Sequence, residues 1–95
     1  MILCKVLGHA VATRKDAKLE GAKLLTVCEI DPDGSERCDL HVVADTLGAG
    51  LGDVVLVTIG SAARLTPATS GYPIDALVVA LVDRVERDGA AVYER

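Results

Sequence analysis

The feature of this sequence that is most similar to a ligand-binding motif is a set of three glycines at alternate positions, Gly48, Gly50 and Gly52. Phosphate-binding loops use glycines because backbone amides and the dipole of a following helix together hold the anion. Here the spacing is G-x-G-x-G, no Lys-Ser or Lys-Thr pair follows, and residues Val54 to Ile59 have the composition of a β-strand. The pattern therefore favours a structural role, in which the bare backbone approaches another segment closely, over nucleotide binding.

Metal ligands are available in principle, and the candidates are Cys4, His9, Cys28, Cys38 and His41. Cys38 and His41 are three residues apart on a predicted strand, so their side chains point to opposite faces. Cys28 and Cys38, if paired across neighbouring strands, could form a disulfide under oxidation. Two thiols packed as small apolar side chains are the favoured alternative. We predict no metal site and no cofactor.

Catalytic groups are also hard to assemble from this sequence. Ser61 lies in Gly60-Ser61-Ala62 and lacks the G-x-S-x-G turn that exposes a nucleophilic serine. Both histidines are embedded in apolar strands, where an isolated histidine usually packs or lies at a rim. Most of the remaining acids border glycines or strand ends, which suits turn capping, and these are Asp45, Asp53, Asp75 and Asp83. We expect no catalytic residue and no enzyme activity.

The composition restricts the class of protein further. The chain has 95 residues, 51% of them apolar, with no Trp, no Phe and a net charge of −4. This length suits one small domain, residues 1–95, and small domains often gain stability by forming oligomers. Nucleic-acid binding needs a concentrated basic surface. The densest basic stretch, Arg14 to Lys18, contains an acid and is expected to be a solvated loop.

Neither a membrane span nor a signal peptide is expected. The longest apolar run, Ala76 to Val82, is far shorter than the roughly 20 residues that a membrane helix needs. Lys5 interrupts the apolar start of the chain, and no charged segment precedes it. An odd number of cysteines without a C-x-x-C pair suits a reducing compartment. We expect a soluble cytoplasmic protein with no membrane partner.

Short strands separated by turns make up most of the chain. Asp31-Pro32-Asp33-Gly34 predicts a hairpin turn whose register places Glu29 beside Arg37 and Cys28 beside Cys38. Asp88-Gly89 predicts a second hairpin. Strands are predicted at Ile2 to Thr13 with a bend near Gly8, Lys23 to Ile30, Ser35 to Ala44, Val54 to Ile59, within Ile74 to Glu86, and Ala90 to Tyr93. A polar loop closes at Gly21, and a helical turn is expected at Ser61 to Leu65. Five or six strands indicate an all-β fold, a small closed or nearly closed barrel.

Several segments together resemble one family over nearly the whole chain. They are Val6, Gly8, Thr13 to Lys15, Leu19 to Leu25, Asp45 to Gly52, Gly60 to Arg64 and Pro73 to Ala76. In these the chain resembles the EutN/CcmL family, the vertex proteins of bacterial microcompartment shells. The resemblance implies a small five-stranded OB-like β-barrel with a short helical turn, assembled as a homopentamer. It also implies a place at the corners of a polyhedral shell beside hexagonal facet proteins.

A ring of identical subunits needs residues that can approach an axis or a neighbour closely. The segment with the least side-chain bulk provides Gly48, Ala49 and Gly50, and we predict that they lie at the axial pore or a subunit interface. Ser61, Ala62 and Arg64 are the second candidates for that interface, because Arg64 can bind carbonyls or a neighbour's carboxylate. The alternative is that the glycine segment only turns the chain inside one barrel and that Arg64 is solvated.

The rival function is that of an OB-like oligonucleotide-binding module, since barrels of this type commonly bind single strands. Such sites stack bases on exposed aromatic side chains beside a positive groove. This chain has two tyrosines and a net negative charge. Its composition therefore disfavours a nucleic-acid partner.

Overall fold

The computed structural model describes residues 1–13, 15–19 and 23–95, and only the backbone of Cys38. Its seven strands are β1 (Ile2–His9), β2 (Lys23–Ile30), β3 (Glu36–Asp45), β4 (Val54–Ile59), β5 (Ala76–Leu81), β6 (Arg84–Arg87) and β7 (Ala90–Glu94). Two short 3-10 helices, Ala17–Leu19 and Gly60–Arg64, complete the described elements. None of the helices in this described part is long and apolar enough to cross a membrane.

Five of the strands close into a barrel in the order β1-β2-β3-β5-β4, and β4 pairs again with β1. Neighbouring strands are antiparallel except β3 and β5, which run parallel. These two strands share only the residue pairs Ala44–Leu77 and Asp45–Val78. We call the gap beside this short contact the β3–β5 opening. The prediction of an all-β, five-stranded OB-like barrel with a short helical turn is confirmed.

Small apolar side chains fill the barrel. They come from alternate positions along the strands, as the two-residue period of a strand requires. The core cluster contains Cys4, Val6, Leu25, Val27, Val43, Ala49, Val55, Val57, Ala76 and Val78. Because none of these is aromatic, five strands suffice to enclose them, and Ala49 from the loop after β3 joins the same core.

Two further clusters use the other face of the same strands. Ala44 and Leu77 pack with Ala63 and Ile74 from the connection between β4 and β5. Cys28, Ile30 and Val54 form the second cluster, and Tyr93 of β7 packs against it. The long connection and the β6–β7 hairpin are therefore held to the barrel by apolar contacts.

Most predicted strand positions are correct. The bounds of β2 and β4 agree with the sequence-based ones, and the bend in the first strand corresponds to a register shift between Val6 and Gly8. That strand ends at His9 instead of Thr13. The run Ile74 to Glu86 contains a break that separates β5 from β6. The prediction of five or six strands was therefore wrong, because the described residues form seven. The predicted loop closure at Gly21 and the start of the basic stretch at Arg14 lie outside the described residues, whereas Lys15 to Lys18 are exposed as expected.

Both predicted hairpin turns are present. The amide of Gly34 donates to the carbonyl of Asp31 at 2.8 Å, and the amide of Asp31 donates to Ser35 at 2.9 Å. In the second hairpin Asp88 and Gly89 both have positive φ, at 53° and 78°, as a tight turn between twisted strands requires. These local residues set where β3 and β7 begin.

The predicted pairing of two cysteines is wrong. A register shift lies between Cys28 and Ile30, so Cys28 pairs with Leu40 and not with Cys38. Cys28 is a buried free thiol, and the side chain of Cys38 lies outside the described residues. The expected ion pair between Glu29 and Arg37 does form, at 4.0 Å. The bulge changes the register without moving Arg37 out of reach of the acidic side chain.

The buried thiol of Cys4 makes the free energy of unfolding depend on pH in the alkaline range. Burial, and then the negative charge of Glu29, raise the pKa of Cys4 from 9.0 to about 11. The folded state therefore holds the thiol proton more tightly than the unfolded state does. The resulting stabilisation is complete below pH 9 and is lost as the pH rises through 11. We expect the free energy of unfolding of the native chain, measured by urea titration, to fall more steeply over this range than that of Cys4→Ala. Parallel curves for the two proteins would contradict the assignment.

Candidate subunit interface

The loop after β3 is held by a buried carboxylate. Asp45 ends β3, its side chain has no solvent exposure, and it lies opposite Lys23 in the β2–β3 ladder. Its carboxylate oxygens accept hydrogen bonds from the amides of Leu47 at 2.9 Å and Ala49 at 2.8 Å. The Lys23 ammonium lies 3.6 Å from the same carboxylate and donates to the carbonyl of Ala49 at 2.6 Å. These four contacts thus fix the first half of the loop.

A second aspartate fixes the other half. The carboxylate of Asp53 accepts a hydrogen bond from the Gly50 amide at 2.9 Å, and the Asp53 amide donates to the Gly50 carbonyl at 3.0 Å. The loop is also joined to β1, because the Gly52 amide donates to the Val6 carbonyl and the Val6 amide donates to the Asp53 carbonyl, both at 2.9 Å. Asp45 and Asp53 therefore act as turn caps, as predicted.

The glycines of this loop meet two different requirements. Gly48 and Gly52 have φ of 85°, a backbone conformation that other residues rarely adopt. Gly50 has no positive φ, and a Cβ placed on it would lie 3.8 Å from the Asp53 carboxylate, an ordinary contact distance. In the part of the chain that the structure describes, nothing therefore requires glycine at position 50.

Ala49 differs from its neighbours in the loop. Its side chain is fully buried in the barrel core, where it leaves no surface for a partner. Gly48 is exposed and Gly50 is half-buried. The loop does turn the chain inside one barrel, and Gly48 and Gly50 are the two positions of the predicted glycine set that are open to the outside.

The second predicted set lies in the 3-10 helix Gly60–Arg64. Ser61 and Ala62 are exposed, and an Arg64 guanidinium nitrogen donates to the carbonyl of Ile74 at 2.8 Å. Arg64 is thus fixed to its own chain and is not a freely solvated side chain. The helix follows the end of β4 and the glycine loop precedes its start, so one subunit holds the two sets about 20 Å apart, at roughly 3.3 Å per strand residue. The structure does not bring them together within a subunit.

Apolar side chains that the sequence analysis did not select are also exposed. They are Met1, Leu7, Val11, Leu40, Val42, Leu47, Leu51, Ile59 and Leu65. Leu40 and Val42 are exposed on β3, His41 between them is half-buried and Val43 after them is buried, so a period-two pattern was present in the sequence. The pattern alone does not say which apolar face stays uncovered, because that depends on the packing of the β4–β5 connection.

Polar chemistry is sparse in the part of the chain that the structure describes. No cluster of three or more potential metal ligands occurs among those residues. His9 is exposed at the end of β1, and His41 is half-buried opposite Val27. Every buried side-chain nitrogen and oxygen there has a hydrogen-bond partner within the chain. The arrangement offers fixed backbone and apolar surface to a partner.

The family model described as "Ethanolamine utilisation protein EutN/carboxysome" matches residues 1–83. The chain is 41% identical over 95 residues to the carboxysome shell vertex protein CcmL of Thermosynechococcus vestitus, covering all of this chain and 96% of the relative. The structure of Gloeobacter violaceus CcmL superposes with a TM-score of 0.95 at 35% identity, covering all of this chain and 98% of that one.

A third similar protein is described as a pentamer. The structure of the GrpN pentameric microcompartment shell protein from Rhodospirillum rubrum is 44% identical, with a TM-score of 0.83. The match covers 92% of this chain and 99% of that one. The same relative is named a bacterial microcompartment shell vertex protein.

Removing the Asp45 carboxylate is expected to destabilise the protein strongly. Asp45→Ala leaves the Lys23 ammonium and two loop amides without their acceptor, which should cost about 3 kcal/mol of unfolding free energy. Asp83→Ala is the matched control, because Asp83 is 84% exposed and lies 4.0 Å from Arg95. That exposed pair should contribute less than about 0.5 kcal/mol. Urea unfolding at equal protein concentration measures both. Equal losses in the two variants would show that the buried carboxylate does not anchor the loop.

Proposed function

Because this chain belongs to the EutN/CcmL family, we propose that it is a structural protein that forms a homopentameric ring and caps the vertices of a bacterial microcompartment shell. The observation that carries the proposal is its likeness over 92% of its length to a pentameric shell protein at 44% identity. The whole chain, residues 1–95, acts as one barrel unit in this ring.

A vertex function follows from geometry more than from chemistry. Hexagonal tiles alone form a flat sheet, so a closed polyhedral shell needs five-fold units at its corners. The partners of the ring are therefore the hexagonal facet proteins of the shell. The protein works in the cytoplasm, where such a shell lies, and it contributes no catalytic step of its own.

Small exposed groups supply the close contacts between subunits. Gly48 and Gly50 lie at the axial pore or a subunit interface, with Ala49 holding their loop to the barrel from inside. Ser61, Ala62 and Arg64 form the second contact region, in which the guanidinium is already oriented by its hydrogen bond to Ile74. Gly50 is the position that this role explains best, because no constraint among the described residues of the subunit accounts for a missing side chain there.

The oligonucleotide-binding alternative finds little support in the aromatic residues. Base stacking needs an exposed ring beside a positive surface. Tyr72 packs against the cluster of Ala44, Ala63 and Leu77, and Tyr93 packs against that of Cys28 and Val54. Both tyrosines of the chain thus serve as apolar packing groups, and the net charge of −4 opposes binding to phosphates.

Shell closure tests the function directly. Facet proteins of a compatible shell, produced with this protein, should give closed polyhedral particles by electron microscopy. Without it they should give tubes, sheets or particles with open corners. Closed particles of the same shape in both preparations would contradict the vertex function.

A bulky side chain at position 50 is expected to break the ring and leave the barrel intact. Gly50→Leu should keep the far-ultraviolet circular dichroism of the native chain, because the subunit has room for a Cβ there. It should lower the native mass, since the added side chain keeps neighbouring subunits apart.

Ala90→Leu is the control for added bulk, because Ala90 is exposed at the start of β7, in the separate two-stranded sheet. That variant should keep the mass of the native assembly. An intact ring in Gly50→Leu would exclude position 50 from the pore and from the interface.

A further inference from the structure

Among the described residues, one edge of β3 has strand partners over only part of its length. On the side facing β5 only Ala44 and Asp45 pair, whereas the opposite edge pairs with β2 from Glu36 to Asp45. An uncovered strand edge with apolar side chains promotes uncontrolled association unless a partner covers it. On β3 the outward side chains Leu40 and Val42 are 59% and 52% exposed.

A groove lies where this edge meets the β3–β5 opening. Its volume is about 200 Å³, comparable with the roughly 150 Å³ of an apolar cavity that holds benzene. The groove is lined by Leu19, Leu24, Val42, Val43, Ala44, Pro73, Ile74, Asp75 and Ala76. One branched aliphatic side chain would fit it, and Val42 makes it continuous with the exposed β3 face. We call the groove together with Leu40 and Val42 the β3 patch.

The loop after β3 carries a protruding apolar residue. Leu51 is 76% exposed in the loop that Asp45 and Asp53 hold in place. The next residue, Gly52, is hydrogen bonded to Val6 of β1, and Leu7 of the same strand is 37% exposed. In the barrel order, β1 is two strands away from the β3–β5 opening in either direction. The loop therefore runs from Asp45 at the β3–β5 opening to β1, and Leu51 lies at the β1 end of the loop.

Cyclic assemblies with five subunits need this kind of arrangement. In such a ring each subunit presents one surface to the neighbour before it and a different surface to the neighbour after it. The two surfaces must be complementary and must lie at different places on the subunit. A protruding leucine and an apolar groove meet both conditions.

We propose that Leu51 of each subunit inserts into the groove of the β3 patch of the next subunit and so closes the ring. This proposal rests on the proposed function, because it takes the occupant of the groove to be a second copy of this chain. The similar pentameric shell protein supports that choice of occupant. The glycines on both sides of Leu51 add no side-chain bulk beside it, so that a neighbouring subunit can approach closely.

Other exposed apolar residues fit the groove less well. Leu65 is 82% exposed but follows Arg64, whose side chain is bonded to the groove residue Ile74. Val11 is 88% exposed but follows Ala10, whose amide donates to the groove residue Leu24 at 3.1 Å. Both residues therefore adjoin the groove of their own subunit, whereas Leu51 lies at the β1 end of its loop.

A charged residue at position 51 tests the proposal. Leu51→Asp should dissociate the ring in native mass spectrometry at micromolar concentration, with assembly requiring at least about tenfold more protein. Ala90→Asp is the control, because it puts the same charge at an exposed position of the separate β6–β7 sheet, outside both proposed contact surfaces. The control should keep the native mass. An intact ring in Leu51→Asp would overturn the proposal.

Crosslinking tests the direction of the contact. In a Cys38→Ser background, where Cys4 and Cys28 remain buried, Leu51→Cys and Val42→Cys are combined in one chain and treated with a short bis-maleimide. The double variant should give a ladder of covalent products that ends at five subunits. Each single variant alone should give no crosslink, and a mixture of the two should give only a product of two subunits.

The outcomes separate this proposal from the function on which it rests. A ring that withstands Leu51→Asp and gives no ladder means that the subunits meet through other surfaces, and the vertex function stands. Crosslinked dimers from one single variant would mean that like surfaces meet, which also overturns the proposal. A native chain that is a monomer under the same conditions overturns the ring itself.

Discussion

The buried carboxylate of Asp45 is the interaction on which the remaining features depend. A charge removed from water is stable only when its oxygens are hydrogen bonded and its charge is balanced. Two loop amides and the Lys23 ammonium do this here, and the same ammonium binds the Ala49 carbonyl. The loop therefore has one defined path, with the Ala49 side chain in the core and the Leu51 side chain exposed.

This anchoring explains how a barrel with so little polar chemistry can have a specific role. The five strands use small apolar side chains to close a narrow barrel, and the short β3–β5 contact leaves an apolar edge and a groove beside it. The glycine loop presents a compact surface at a different place. Two unlike surfaces at different places on the subunit are what a closed ring of identical subunits uses.

Local signals in the sequence were enough for most of the fold. Pro32 and Gly34 mark a hairpin whose turn geometry is fixed by those residues, and the Asp88-Gly89 pair does the same for the last hairpin. The register beyond the first turn was not predictable, because the bulge next to Cys28 follows from packing and not from turn chemistry. The break between β5 and β6 falls at Val82 and Asp83, where the apolar run ends, although the strand was predicted within a run that continues to Glu86.

The candidate interface was only partly accessible from sequence. The glycine pattern predicted a loop for close approach, yet it did not distinguish Ala49, whose side chain is buried in the core, from Gly50, which is half-buried. The sequence analysis did not select Leu40 and Val42, because apolar side chains on a strand are typical of a buried core. Which apolar face remains uncovered is decided by the path of the β4–β5 connection, and only the three-dimensional structure shows that path.

The mass of the native chain at low micromolar concentration tests the central claim that these barrels assemble side by side into a ring of five. Native mass spectrometry should give one dominant species of about 50 kDa, five times the 9.9 kDa chain. A dominant species of one, two or four chains under those conditions would contradict the account.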